Sequence, residues 1–272
     1  MSGQHIAFIG GGNMGRALIA GLIARGSAPA DLAVADPVCA TRTALQAEFA
    51  VRTSGDNIGI AESADILVLA IKPQIMAEVL APLAPVLMRH RPLVISIAAG
   101  VRIAALSAWC GAGVPIVRAM PNRPALCGAG ITGLYAPAST APDARQRAGD
   151  VLSAVGDTVW VEREDDLDVV TAVSGSGPAY FFLLAEQLAA SAVRLGLEPV
   201  TARRLAVATL HGAGCLARES DGDLSRLRAE VTSKGGTTEA ALRSLAAADF
   251  DGSVAAAVDA AVKRSQELAG VA

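Results

Sequence analysis

The chain has 272 residues, 52% apolar, 18% charged and 3% aromatic, with 27 glycines. That length and apolarity exclude a disordered chain and allow one large domain or two smaller ones around a sizeable core. Twenty-three basic residues against 26 acidic ones leave a formal charge of −3, so no nucleic-acid-binding surface is expected.

The segment HIAFIG at 5–10 reads as a short strand that runs into a glycine-rich turn. Leu18, Ile19, Leu22 and Ile23 then recur at helical spacing, and Gly26 is a plausible stop. LAVAD at 32–36 is a second strand, followed by a helix over 41–49. ADILVLAIKP at 64–73 is nearly unbroken in apolar residues, as parallel strands covered on both faces are. A helix over 75–87, a strand in PLVISIAAG and a helix from Ile103 continue the alternation. PIVRAMPN, GAGITGLYA and DTVWVE close it as three further strands. The alternation predicts an α/β Rossmann-type, doubly wound parallel sheet over 1–162.

After Trp160 the pattern changes. Residues 163–272 predict an all-helical domain, with helices over 167–195, 201–219, 224–231, 238–247 and 251–268. The acidic run EREDDLD at 162–168 reads as carboxylates placed to favour a helix N-terminus. The longest apolar run, AYFFLLAEQLAASAV at 179–193, carries Glu186 and Gln187 and is expected to be too short and too polar to span a bilayer. MSGQH has no basic region and the apolar stretch from Ile6 soon meets glycine, so no secretory signal is expected. Cys39, Cys110, Cys127 and Cys215 have no metal or redox spacing, and His5, His90 and His211 are far apart. No metal site is expected, and a reduced cytoplasmic setting is.

Gly10, Gly12 and Gly15 form G-x-G-x-x-G between the first strand and the first helix. Gly10 permits the tight turn, Gly12 lets backbone approach a pyrophosphate, and Gly15 lets helix and strand pack closely. Asp36 ends the second strand, 21 residues after Gly15. Dinucleotide binding follows from that context. A carboxylate there can accept from the ribose hydroxyls of NADH and would repel the 2′-phosphate of NADPH, whereas Arg42 can pair with that phosphate. A plain Asp-Pro turn is the third reading, and the preference stays open.

Two later segments, AVSGSGPAYFFLLAEQL at 172–188 and VTSKGGTTEAAL at 231–242, sharpen this. With FIGGGNMG at 8–15, AIKPQ at 70–74 and AMPNRPA at 119–125, they resemble the pyrroline-5-carboxylate reductase family, in order over almost the whole chain. The resemblance implies NADPH- or NADH-dependent reduction of 1-pyrroline-5-carboxylate to proline, and an all-helical dimerisation domain giving a homodimer or an assembly of dimers. It also implies that Asn13 and Met14 join the glycines at the cofactor, that Asn57 reaches its adenosine side, and that Ala70, Lys72 and Pro73 line its channel. For Lys72 a solvated strand-end lysine is the other reading. Met120, Pro121 and Asn122 end another strand near the nicotinamide.

Hydride transfer to a protonated C=N bond needs no nucleophile and no metal. It needs a positioned nicotinamide, a clamp for the substrate carboxylate and a polar partner for the ring nitrogen. Ser233, Gly235, Gly236, Thr237 and Thr238 make a glycine-flanked loop at a helix start, suited to gripping a carboxylate. By the resemblance, Thr238 contacts the ring nitrogen; alternatively Thr237 or Thr238 caps the helix ahead of Glu239. In GSGP at 175–178, Ser174 and Ser176 are expected to face nicotinamide and substrate, while Gly175, Gly177 and Pro178 interrupt a helix. Arg123 and Lys234 depart from the family pattern. Two rivals are a β-hydroxyacid dehydrogenase, although the helix after Gly177 has no lysine, and a non-catalytic NAD(P)-binding regulator.

Overall fold

The computed structural model describes residues 3–220 and 222–270; residues 1–2 and 271–272, the outer ends of the two expected domains, and Asp221 lie outside the described residues. The chain forms two compact units. One runs to Gly175 and includes the stretch from Ala261 onward; the other is Ser176–Ala260.

The first unit holds a single sheet of eight strands: β1 (Ile6–Ile9), β2 (Leu32–Ala35), β3 (Arg52–Ser54), β4 (Ile66–Leu69), β5 (Leu93–Ser96), β6 (Ile116–Met120), β7 (Gly130–Tyr135) and β8 (Gly156–Trp160). Their order is β3-β2-β1-β4-β5-β6-β7-β8. The order turns back between β1 and β4, which is where a doubly wound sheet opens a crevice. The sheet is parallel through β6; β7 runs antiparallel to β6, and β8 is parallel to β7. Alternate residues feed two cores. Phe8, Val34, Val68, Ile95 and Val117 face one, and Ile9, Ala35, Leu67, Leu69 and Val94 face the other. Burial on both faces is why these strands are apolar at every position.

Helices α1 (Asn13–Ala24), α2 (Cys39–Phe49), α3 (Asn57–Ala61), α4 (Met76–Leu80), α5 (Ala84–His90), α6 (Ile103–Cys110) and α7 (Pro142–Ser153) link the strands. The single helix expected over 75–87 is three pieces, because Pro82 and Pro85 each force a first turn: α4, a 3-10 turn over Ala81–Leu83, and α5. β3 and α7 are additions to the elements expected from sequence.

α8 (Asp166–Val170) leads through a π turn, Thr171–Gly175, into α9 (Gly177–Arg194). The bilayer expectation needs correcting here. The helical run Asp166–Arg194 is 29 residues with a mean hydropathy of 1.3 in its most apolar window, long and apolar enough by length and composition to cross a membrane. The run is longer than the apolar stretch from Ala179 because it takes in the turns before GSGP.

The regular elements among the second unit's described residues are all helices: α9, α10 (Pro199–Glu219), α11 (Leu224–Glu230), α12 (Thr237–Ala247) and the first half of α13 (Phe250–Ala269). Among its described residues only Gly177, Ala202 and Ala206 are buried. Phe181 and Phe182 are each 59% exposed, and Leu183, Leu188, Leu195 and Val200 are exposed as well. These helices present apolar faces that one chain leaves uncovered.

Candidate active site

The carboxyl edge of β1, β2 and β4 forms a cradle. Gly10 has φ +100°, and its N–H donates to Ala35 O at 2.7 Å. A Cβ at Gly10 would sit 2.5 Å from the Ala70 carbonyl oxygen, so the turn needs glycine both for its dihedral and for its space. Gly15 packs its α-carbon on the Gly10 carbonyl, where a Cβ would lie 2.7 Å away. Around Gly12, by contrast, no atom stands within 4 Å of where a Cβ would be. Gly12 is the N-cap of α1, with no side chain bonding the helix start. The first N–H groups of α1, those of Asn13 and Met14, thus receive no acceptor from a cap side chain.

Asp36 follows β2 directly. Its Oδ2 accepts the Gly11 N–H at 2.8 Å and its Oδ1 accepts the Val38 N–H at 2.9 Å. The carboxylate thus forms the Asp-Pro turn and also braces the glycine loop. Arg42 donates to the carbonyls of Asp36 and Pro37 at 2.7 and 3.0 Å, which places its guanidinium beside the same turn. Asn57 begins α3, which Asp56 caps by accepting from Ile58 N–H. Lys72 stands in the loop after β4, and Pro73 opens a 3-10 turn.

At the end of β6 the side chains are more committed. Asn122 is 8% exposed; its Nδ2 donates to Ser174 O at 3.1 Å and its Oδ1 accepts the Ile131 N–H at 3.0 Å. Its amide is engaged by protein at both ends, and each end keeps a further hydrogen-bonding site, one Nδ2 hydrogen and one Oδ1 lone pair. The Met120 methyl lies 2.9 Å from where a Gly175 Cβ would be. Met120, Asn122, Ser174 and Gly175 therefore meet at one place. The Ser174 hydroxyl donates to Val170 O at 2.9 Å, and Thr171 does the same to Leu167 O at 2.7 Å. Each hydroxyl bonds back to a carbonyl four residues earlier in the helical run. Ser176 is the N-cap of α9 without a side-chain bond.

In the second unit, Gly235 has φ +73° and Gly236 N–H donates to Ser233 O at 3.0 Å, closing a tight turn. The N-cap of α12 is Gly236, with φ −84° and ψ 176°. This corrects the capping alternative: Thr237 and Thr238 are the first two helical residues, and neither hydroxyl caps. The Gly235 N–H is taken by Glu239 Oε2 at 2.6 Å. Two glycine N–H groups expected to grip a carboxylate are thus spent inside the loop. The N–H groups and hydroxyls of Thr237 and Thr238, with Ser233 Oγ, are what the loop can offer. Arg123 and Lys234 are both exposed.

The acidic run at 162–168 does more than favour a helix start. Glu164 Oε1 accepts from Arg118 at 2.7 Å and from the Ile103 N–H at 2.7 Å. Arg102 spans Asp165 at 2.8 Å and Asp168 at 2.7 Å. Burial pushes the Arg118 guanidinium below its usual pKa, and Glu164 opposes that fall. An arginine in the middle of the apolar strand IVRAM is the signal in the sequence, since a buried charge demands a partner.

Comparison with known proteins decides the family. The pattern described as pyrroline-5-carboxylate reductase dimerisation matches residues 164–268, and that of coenzyme F420-dependent NADP oxidoreductases matches 5–100. The pyrroline-5-carboxylate reductase of Pseudomonas aeruginosa is 46% identical over 99% of this chain and 98% of its own. The chain belongs to the pyrroline-5-carboxylate reductase family. Solved relatives agree. The enzyme from Coxiella burnetii superposes with a TM-score of 0.94 at 40% identity, covering 97% of this chain and 98% of its own. The Plasmodium falciparum enzyme, solved with NADP bound, gives 0.84 at 30% identity over 99% of each chain. As a pyrroline-5-carboxylate reductase, the chain is an oxidoreductase that reduces 1-pyrroline-5-carboxylate to proline with NAD(P)H. The two rival readings, a β-hydroxyacid dehydrogenase and a non-catalytic regulator, fall with that assignment.

Proposed function

We propose the residues that perform this reduction. Gly10, Gly12, Asn13, Met14 and Gly15 hold the pyrophosphate, Asp36 and Asn57 flank the adenosine half, and Ala70, Lys72, Pro73 and Met120 line the path to the nicotinamide. What carries this reading is the cradle itself. The Gly10–Gly15–Ala70 packing is closed to any side chain, while the space over Gly12 at the start of α1 is open. That shape fits a dinucleotide. When bound, the reduced cofactor supplies a hydride.

The substrate enters as a cyclic iminium, with a carboxylate beside the ring nitrogen. Thr237 and Thr238 offer N–H groups at the start of α12 for the carboxylate, assisted by Ser233, while Gly235 and Gly236 shape the turn. The Ser174 O–H donates its hydrogen bond to Val170 O, so its oxygen is left as an acceptor, suited to an iminium N–H. The Thr238 hydroxyl takes the same nitrogen as its charge falls on reduction, and Ser176 lies beside this machinery in the sequence. The π electrons of C=N pass to nitrogen as its carbon gains the hydride, leaving a secondary amine. No proton needs to be abstracted from carbon, which accords with α9 having no lysine.

We further assign 1–162 to the cofactor and 163–272 to substrate and assembly. The occupant of the uncovered apolar helices is a second copy of the chain rather than lipid or nucleic acid, and the setting is the cytoplasm. The test is loss of nicotinamide absorbance when folded protein meets racemic pyrroline-5-carboxylate with NADH or NADPH. Turnover that disappears in a Gly12→Val variant, with the fold retained, supports the assignment. A Gly12→Val variant as active as the parent overturns it.

A further inference from the structure

Asp168 lies on α8, three residues before the π turn, and is 1% exposed. Both its carboxylate oxygens are taken. Oδ1 accepts the Ser265 hydroxyl at 2.6 Å, and Oδ2 accepts Arg102 at 2.7 Å. Ser265 is itself buried, at 6% exposure, on the part of α13 that belongs to the first unit. Arg102 stands at the N-cap of α6 and reaches Asp165 as well. Just ahead of α8, Glu164 holds Arg118 of β6. Three elements distant in sequence thus pin the entry to α8.

The five residues that follow form a π turn, a register that persists only where its surroundings hold it. Its far end is anchored by Asn122 on the Ser174 carbonyl. The turn is strung between two fixed points, Asp168 before it and Asn122 against its end. A buried carboxylate is a stringent anchor, because losing either partner leaves a charge without compensation. The network does no chemistry on a substrate, and nothing in the reduction uses it directly.

We infer that Asp168 is a positioning residue for the reduction: through Ser265 and Arg102 it sets the register of the π turn and so the aim of Ser174. The inference rests on the assignment of Ser174 to the substrate site. It makes the closing helix of the chain, far from the reacting atoms in sequence, part of what orients them.

The test uses the full-length protein and the variants Asp168→Asn, Ser265→Ala, Ser265→Thr and Ser174→Ala. Asp168→Asn keeps the side chain's size but cannot accept at both atoms. It is expected to lower kcat at least tenfold while the Kd for NADPH, read by fluorescence titration, stays within twofold. Ser265→Ala lowers kcat about threefold or more, and Ser265→Thr, which restores the hydroxyl, recovers activity towards the parent. If both Asp168→Asn and Ser265→Ala keep kcat within twofold of the parent, the inference is overturned. It is also overturned if kcat and cofactor affinity fall together, or if threonine is no better than alanine at 265. Should Asp168→Asn fail to fold, the two Ser265 variants decide. Ser174→Ala separates the premises. Unchanged kcat there removes the Ser174 assignment and the inference with it, while a loss there combined with a normal Ser265→Ala removes the inference alone.

Discussion

The Asn122 carboxamide binds the Ser174 carbonyl at 3.1 Å with one end and the Ile131 N–H at 3.0 Å with the other, joining β6, β7 and the π turn through one side chain. Truncation to alanine removes the partners of a part-buried N–H and a part-buried carbonyl together, a loss of about 1–3 kcal/mol. Asn122→Ala is expected to lower the denaturation midpoint and kcat, with KM for NADPH changed less than about threefold. A large rise in that KM with kcat intact would return Asn122 to direct cofactor contact.

Asp36 braces the glycine loop through the N–H groups of Gly11 and Val38. Asp36→Ala removes both acceptors, so KM for NADH and for NADPH should rise together, by about five- to tenfold for a loss near 1 kcal/mol or a little more. Steady-state kinetics with the two cofactors side by side check this. A rise confined to NADH would show that the carboxylate's partners are the ribose hydroxyls, and a fall in KM for NADPH would show repulsion of the 2′-phosphate.

Thr238 is the second residue of α12, and the cap is the Gly236 backbone rather than its hydroxyl. Thr238→Ala should cost ~1–3 kcal/mol of transition-state stabilisation, a drop of about five- to 160-fold in kcat/KM. Circular dichroism should be unchanged, since the N-cap Gly236 is untouched. Parent-like kcat/KM would move the ring-nitrogen contact to another group.

Glu164 compensates the buried guanidinium of Arg118. Glu164→Gln leaves that charge without its counter-ion and should cost about 3 kcal/mol of stability, seen as an earlier urea midpoint. Converting both, as Glu164→Gln with Arg118→Met, should recover part of the loss. If the single variant melts with the parent, the pair is not the constraint described above.

Cys110 is wholly buried at the end of α6, and burial pushes its thiol up to about 12 from an ordinary 9.0. A raised folded value means the native state keeps a proton that the unfolded chain gives up. The associated stability is complete below pH 9 and is lost as pH climbs towards 12, at up to about 1.4 kcal/mol per pH unit. Thermal melts of the parent and Cys110→Ala between about pH 8 and 11 should therefore converge as pH rises. Parallel curves would show that the thiol does not titrate in this way.

The sheet was legible because its strands are buried on both faces, and ILVL at 66–69 or LVIS at 93–96 has few other readings. β3 was not, since Arg52–Ser54 is a three-residue, polar edge strand with no alternation to detect. α7 escaped for a related reason: its inner face is Ala144, Ala148, Val151 and Leu152, two of them alanines, among charged neighbours. At the site, the glycine spacing and Asp36 could be placed from the chain alone, because a cradle closed to side chains must be written in glycine. The π turn could not, because an extra residue in a helical register leaves no periodic mark. Nor could the partners of Asp168, which lie 66 and 97 residues away. The threonine loop was legible as a place but not in detail. Which residue becomes the N-cap depended on the extended backbone at Gly236, which two adjacent glycines left undetermined.

Among its described residues the helical unit buries only glycine and alanine, and its phenylalanines are left uncovered by the chain's own contacts. Such a bundle cannot hold its shape on contacts within one polypeptide, so folding and association become a single equilibrium. Its melting temperature should then climb with protein concentration. Dilution should extinguish turnover before the nucleotide sheet comes apart.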